Sequence, residues 1–125
     1  VIYDDVIHEG ARDGAEVYMF QTNNADFRNT DENLQQLAFA RTRAIETGRS
    51  VVNISTVGTS QVIGPDGATI DSLPADEAGA MLTDVPLRTG LTPSIVIGGS
   101  LGMAIAILSI AGLIASGVVA SRRRT

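Results

Sequence analysis

The chain has 125 residues, a formal net charge of −5 and no cysteine, which excludes disulfides, a thiolate nucleophile and cysteine-ligated metal. All nine basic residues are arginine, so lysine chemistry is absent too, and the single histidine, His8, excludes a histidine-rich metal site and speaks against a Ser-His-Asp triad. Charge is unevenly placed: all fourteen acids and six arginines precede a charge-free run from Pro93 to Ala120, leaving the front part at −8, while Arg122, Arg123 and Arg124 close the chain at +3. An acidic front part argues against nucleic acid as a partner.

In chain order, residues 1–13 read as a helix with Val1, Ile2, Val6 and Ile7 on one side, stopped by Gly14. Residues 15–22 form a short apolar run of the buried-strand kind, and 23–29 are a loop by composition. Thr30 offers an N-cap, with Asp31 and Glu32 in the first turn. The helix over 31–47 is expected to bury Leu34, Leu37, Ala38, Ala44 and Ile45 and to end at Gly48. Residues 51–56 read as a second central strand. Residues 61–64 and 68–70 flank the turn residues Pro65, Asp66 and Gly67 as a hairpin. A polar loop over 71–79 and one more strand over 80–85 follow. A strand–helix–strand crossover argues a parallel or mixed sheet covered by helices, hence an α/β fold.

Residues 94–120 exceed the ~20 apolar residues that cross a bilayer core, and as a helix they rise roughly 40 Å. Pro93 suits a first helical turn. Gly98, Gly102 and Ala106, and then Gly112, Ser116 and Ala120, recur every four positions, as in closely approaching membrane helices or simply as such helices are composed. The arginine triplet against the span predicts a cytoplasmic C-terminus and an outer front part. Residues 1–88 thus form the domain, 89–93 the linker, 94–120 the span and 121–125 a basic tail.

The stretches Asp13-Gly-Ala-Glu-Val17, Thr22-Asn-Asn-Ala-Asp-Phe27, Gln36-Leu-Ala-Phe-Ala-Arg-Thr-Arg-Ala-Ile-Glu-Thr-Gly-Arg49 and Ile63-Gly-Pro-Asp-Gly67 resemble the carbon–nitrogen hydrolase (nitrilase) superfamily, and within it the apolipoprotein N-acyltransferase family. The resemblance implies the C-terminal part of a nitrilase-like αββα sandwich followed by one transmembrane helix, in the inner cell membrane. It implies a Glu-Lys-Cys triad, a phospholipid acyl donor, an apolipoprotein acceptor and no cofactor or metal. The thiol is needed because the acyl group is held as a thioester between donor and acceptor. The implied cysteine lies just before the first helix and the other two members further upstream, so this chain carries no catalytic residue and reads as truncated after the nucleophile. The family's acyl pocket is lined by the loop carrying Asn23, Asn24 and Phe27, which are the substrate-binding candidates. A membrane-anchored nitrilase-type amidase, or a non-catalytic single-pass protein with a small outer domain, are the alternatives.

Arg43, Glu46 and Arg49, spaced by three, are expected to pair structurally, and Arg41 to be a solvated surface residue, with an anchoring point for lipid phosphate as the alternative. His8 is placed on the polar side of the first helix. Ser55, Thr56, Thr59 and Ser60 beside Gly58 read as a turn rather than a nucleophile.

Overall fold

A computed structural model describes residues 3–25 and 30–122, with side chains only to residue 117. It forms two compact units, residues 1–95 and 96–125. The first contains helix α1 (Asp4–Arg12), strand β1 (Val17–Thr22), helix α2 (Glu32–Thr47) and strands β2 (Ser50–Ser55), β3 (Ser60–Ile63) and β4 (Thr69–Leu73). The strands lie in the order β1-β2-β3-β4, β1 parallel to β2 and the other pairs antiparallel.

Both helices stop where glycine permits a left-handed turn. Gly14 and Gly48 have φ of +91° and +65°. After each, two backbone N–H groups turn back onto the last helical carbonyls: Gly14 to Ala11 and Ala15 to Gly10, then Gly48 to Ile45 and Arg49 to Ala44. This double closure satisfies carbonyls that a bare helix end leaves open. At the other end, α2 begins one residue later than expected, with the Thr30 hydroxyl accepting from the Glu32 N–H at 3.4 Å.

One sheet face is covered by the helices. Leu37, Ala40 and Ala44 of α2 pack on Val51 and Ile63, with Tyr18 and Phe20 beside them. Tyr18, Val51 and Ile63 are register neighbours and so project to the same side. The Tyr18 hydroxyl donates to the Ile7 carbonyl, fixing α1 over the sheet. Ile7 and Ala11 are the buried residues of α1, whereas Val6 is exposed; Val1 and Ile2 lie outside the described residues.

The buried stripe of α2 differs from the expected one. Leu37 and Ala44 are buried, but Leu34, Ala38 and Ile45 are exposed, and Ala40, Arg43 and Thr47 take their place. Two polar side chains can occupy that stripe because their polar atoms find partners there: the Thr47 hydroxyl donates to the Arg43 carbonyl, and Arg43 pairs with Glu46 and with Asp4 of α1. Ile45 instead covers the hairpin turn, where a Cβ on Gly67 would come within 2.8 Å of it.

The strand expected over 80–85 is not formed. The segment alternates, with Met81, Thr83 and Val85 half-buried and Leu82 and Asp84 exposed. Met81, Thr83 and Val85 line a cavity of about 550 Å³ over the sheet face opposite the helices, together with Val52, Ile54 and Val62. Among the described residues no strand pairs with it, and an extended segment without a ladder is not a strand. Conversely β4 continues to Leu73, into the expected polar loop.

The base of the strands is held by Arg49, which is fully buried. Its Nε donates to the Ala15 carbonyl at 2.5 Å, Nη1 to Thr47 and Gly90 at 2.6 and 3.0 Å, and Nη2 to Ala11 and Thr89 at 3.2 and 3.0 Å. All five guanidinium donors are therefore used. The same end receives the segment leading to the last helix: Ser50 Oγ donates to the Pro86 carbonyl, Thr92 Oγ1 to the Glu46 carbonyl and Arg12 Nη2 to the Ile95 carbonyl. Helix α3 (Pro93–Arg122) follows. Over Pro93–Gly117 it is long and apolar enough to cross a membrane.

Candidate functional site

A crossover helix between parallel strands leaves their carboxyl ends open, and ligand sites of α/β sheets lie there. In this chain that end carries residues 23–25 after β1, the first turn of α2 and the turn after β2. Asn23 is exposed; its Oδ1 accepts from the Thr56 hydroxyl at 2.8 Å and from the Ala25 N–H at 3.2 Å. The Thr56 N–H donates to the Thr22 carbonyl, extending the β1–β2 pairing by one bond. Asn24 points the other way. It is 2% exposed, and its Nδ2 donates to Asn33 Oδ1 at 2.9 Å. Its own Oδ1 is buried without a partner among the described residues. Phe27, the third candidate, lies outside the described residues.

Of the hydroxyls beside Gly58, those of Ser55 and Ser60 are engaged in the turn, whereas that of Thr56 bonds Asn23. Ser55 Oγ accepts from the Gly58 N–H at 2.9 Å, and Ser60 Oγ accepts from the Ser55 N–H at 3.0 Å. Gly58 is buried against the asparagine pair: a Cβ there would stand 2.6 Å from Asn24 Nδ2 and closer still to Asn33 Oδ1. Sequence reasoning singled out neither Asn33 nor the packing role of Gly58. A lone asparagine in a first helical turn carries no signal without its partner.

A second polar cluster joins the two helices. His8 Nε2 lies 2.7 Å from Glu46 Oε1, Arg43 Nη1 donates to Glu46 Oε2 at 2.5 Å, and Arg43 also pairs with Asp4. Burial works against the Glu46 charge, but the hydrogen bonds and charges of Arg43 and His8 outweigh it and hold the carboxyl below its ordinary range. For Arg43 burial likewise opposes the charge, and Glu46 and Asp4 raise its pKa above the usual value. The Arg43–Glu46 pair is the expected one. The expected Glu46–Arg49 pair is replaced by His8–Glu46, because the left-handed Gly48 turns Arg49 off the helix and into the carbonyl cluster. Arg41 is half-buried rather than a free surface residue: it donates to the Gly67 carbonyl, to Gln61 Oε1 at 2.8 Å and to Thr69 Oγ1 at 3.1 Å, fastening α2 to the hairpin.

Among the described residues no three His, Asp or Glu side chains gather to hold a metal. Asn23, Asn24 and Asn33 offer hydrogen bonding at the strand ends.

The carbon–nitrogen hydrolase family profile matches residues 1–90. The chain belongs to the carbon–nitrogen hydrolase family. Several relatives bear the name apolipoprotein N-acyltransferase. The protein of Mycolicibacterium smegmatis is 40% identical over 96 residues, covering 75% of this chain and 16% of the relative. That of Shewanella oneidensis is 31% identical over 96 residues, covering 74% and 18%, and that of Ralstonia nicotianae 35% identical over 79 residues, covering 63% and 15%. The chain spans about a sixth of the length of the curated relatives it matches. As a carbon–nitrogen hydrolase chain, it supplies one helix layer and one sheet of an αββα sandwich, followed by a membrane-length helix. The sheet face bearing Met19, Val52 and Ile54, away from α1 and α2, is the one a second sheet covers in that architecture.

Proposed function

We propose that this chain is the C-terminal part of a membrane N-acyltransferase, which moves an acyl chain from a phospholipid to the α-amino group of an apolipoprotein's N-terminal cysteine. The reading is carried by the 40% identity over 96 residues to a protein of that name. A membrane-length helix directly after the α/β unit supports it, since the acyl donor resides in the bilayer.

The chemistry proceeds in two balanced steps. A thiolate attacks the donor's ester carbonyl, and the lysophospholipid leaves as an alcohol after taking a proton. The acceptor amine then attacks the thioester, losing a proton and releasing the thiolate. The thiol, the glutamate base and the oxyanion-stabilising lysine come from residues outside this chain, which has no cysteine and no lysine. What these residues contribute is the rim: the loop of Asn23, Asn24 and Phe27 borders the pocket in which the acyl group lies. The α/β unit faces the outside of the inner membrane, and residues 121–125 face the cytoplasm.

The test supplies the native protein, in detergent, with phospholipid and a diacylated lipopeptide. The lipopeptide should gain one acyl mass, and the protein a hydroxylamine-labile acyl group. Release of free fatty acid or ammonia with an unmodified lipopeptide would favour the amidase reading. No turnover with any acyl or amide substrate would favour a non-catalytic anchor.

A further inference from the structure

The asparagine loop is pinned from two sides by residues that the acyltransferase reading does not use. On one side, Asn23 Oδ1 takes the Thr56 hydroxyl at 2.8 Å. On the other, the buried Asn24 amide donates to Asn33 Oδ1 at 2.9 Å, tying the loop to the first turn of α2. Gly58, in the turn after β2, closes over this amide pair so tightly that a Cβ would have to push the pair apart. Asn24 thus has its side chain turned into the protein, at 2% exposure, while Asn23 remains at the surface.

We propose that Asn33 and Gly58 are positioning residues for the site at the strand ends, forming with Asn24 an amide lock that fixes residues 23–25 after β1. This rests on the reading of that loop as the border of the acyl pocket. A part-buried amide–amide hydrogen bond restricts both side chains, and the backbone of residues 23–25 follows. Loop placement matters to acyl transfer because a displacement of about 1 Å at a reacting group can cost roughly 100-fold in rate. The lock acts through geometry alone and touches neither donor nor acceptor.

The experiment uses the native protein with Asn33→Leu, Asn33→Asp and Gly58→Ala, and with Arg41→Met as a control that loosens α2 from the hairpin away from the loop. Hydrogen exchange across residues 22–25 reads the lock directly. It should quicken by about tenfold in Asn33→Leu and Gly58→Ala, the net worth of one hydrogen bond. Asn33→Asp retains an acceptor for Asn24 Nδ2 and should stay near wild type, as should Arg41→Met. With the lipopeptide assay, kcat should fall at least roughly tenfold in the first two variants, with KM for phospholipid little changed and Asn33→Asp rescued. Unchanged exchange in Asn33→Leu and Gly58→Ala would overturn the lock, as would equal damage by Asn33→Asp. Faster exchange with unaltered kcat would overturn the positioning role. Absence of acyl transfer by the wild-type protein would remove the acyltransferase reading and this role with it, while the exchange result would still stand for the lock.

Discussion

Arg49 meets no carboxylate among the described residues; its charge is answered by five main-chain carbonyls. Two of these, Ala11 and Thr47, sit in the last turns of α1 and α2, where the helix dipole places partial negative charge. Arg49→Met should therefore destabilise the α/β unit by at least about 3 kcal/mol, since several buried acceptors lose their donors at once. Arg49→Lys keeps the charge but offers three donors in place of five, and should fall between. Chemical denaturation of the three proteins in one detergent checks the order; a Lys variant as unstable as Met would show that donor number outweighs charge. Glu46 gives a pH dependence of defined sign. Its folded pKa is held below the ordinary value near 4.5, so its contribution is present above that value and is lost as pH falls through the folded one. Thermal stability should drop on acidification below about 4.5, and Glu46→Gln should flatten that limb while lowering stability at neutral pH. An unchanged acid limb in Glu46→Gln would assign the drop to other carboxylates.

At the scale of elements, helix ends were the most legible feature. Gly14 and Gly48 announce them because few other residues adopt a left-handed stop, and both take that conformation. Gly48→Ala should cost about 1–2 kcal/mol from backbone strain, and its Cβ would also press on Thr92 Cγ2 at 2.9 Å. Gly90→Ala, where nothing lies within 4 Å and φ is ordinary, is the neutral comparison. Equal melting temperatures for the two variants would contradict this account. The face of α2 was less legible. An apolar count favours Leu34 and Ile45, whereas buried Arg43 is partnered by Glu46 on its own helix and by Asp4, 39 residues away, and no local pattern encodes the second contact. The 80–85 segment shows the same limit from the other side. Its alternation is present in the sequence and in the burial of Met81, Thr83 and Val85, but a strand also needs a partner, and a one-strand pattern does not supply it. Of the site, the loop was found through family resemblance. Asn33 was not, because its meaning lies in a contact nine residues away with Asn24.

At the scale of the whole molecule, charge asymmetry around α3 sets the expected orientation. Membrane insertion follows the arginine and lysine count within about 15–20 residues of a span, with acids contributing little. Before Pro93 that window holds Arg88 alone; after Ala120 it holds Arg122, Arg123 and Arg124. Three against one favours keeping the tail in the cytoplasm, and the large acidic excess of the front part offers no opposing signal. Segment 74–80 is exposed and free of helix or strand, so an epitope inserted at residue 75 should be tolerated. In spheroplasts, added protease should remove that epitope and spare a tag placed after Thr125, and only membrane permeabilisation should expose the tag. Replacing all three tail arginines with glutamine should weaken the preference, giving a fraction of molecules with the tag accessible outside. Digestion of the tag in intact spheroplasts of the unaltered protein would reverse the orientation, and with it the outward placement of the loop at Asn23.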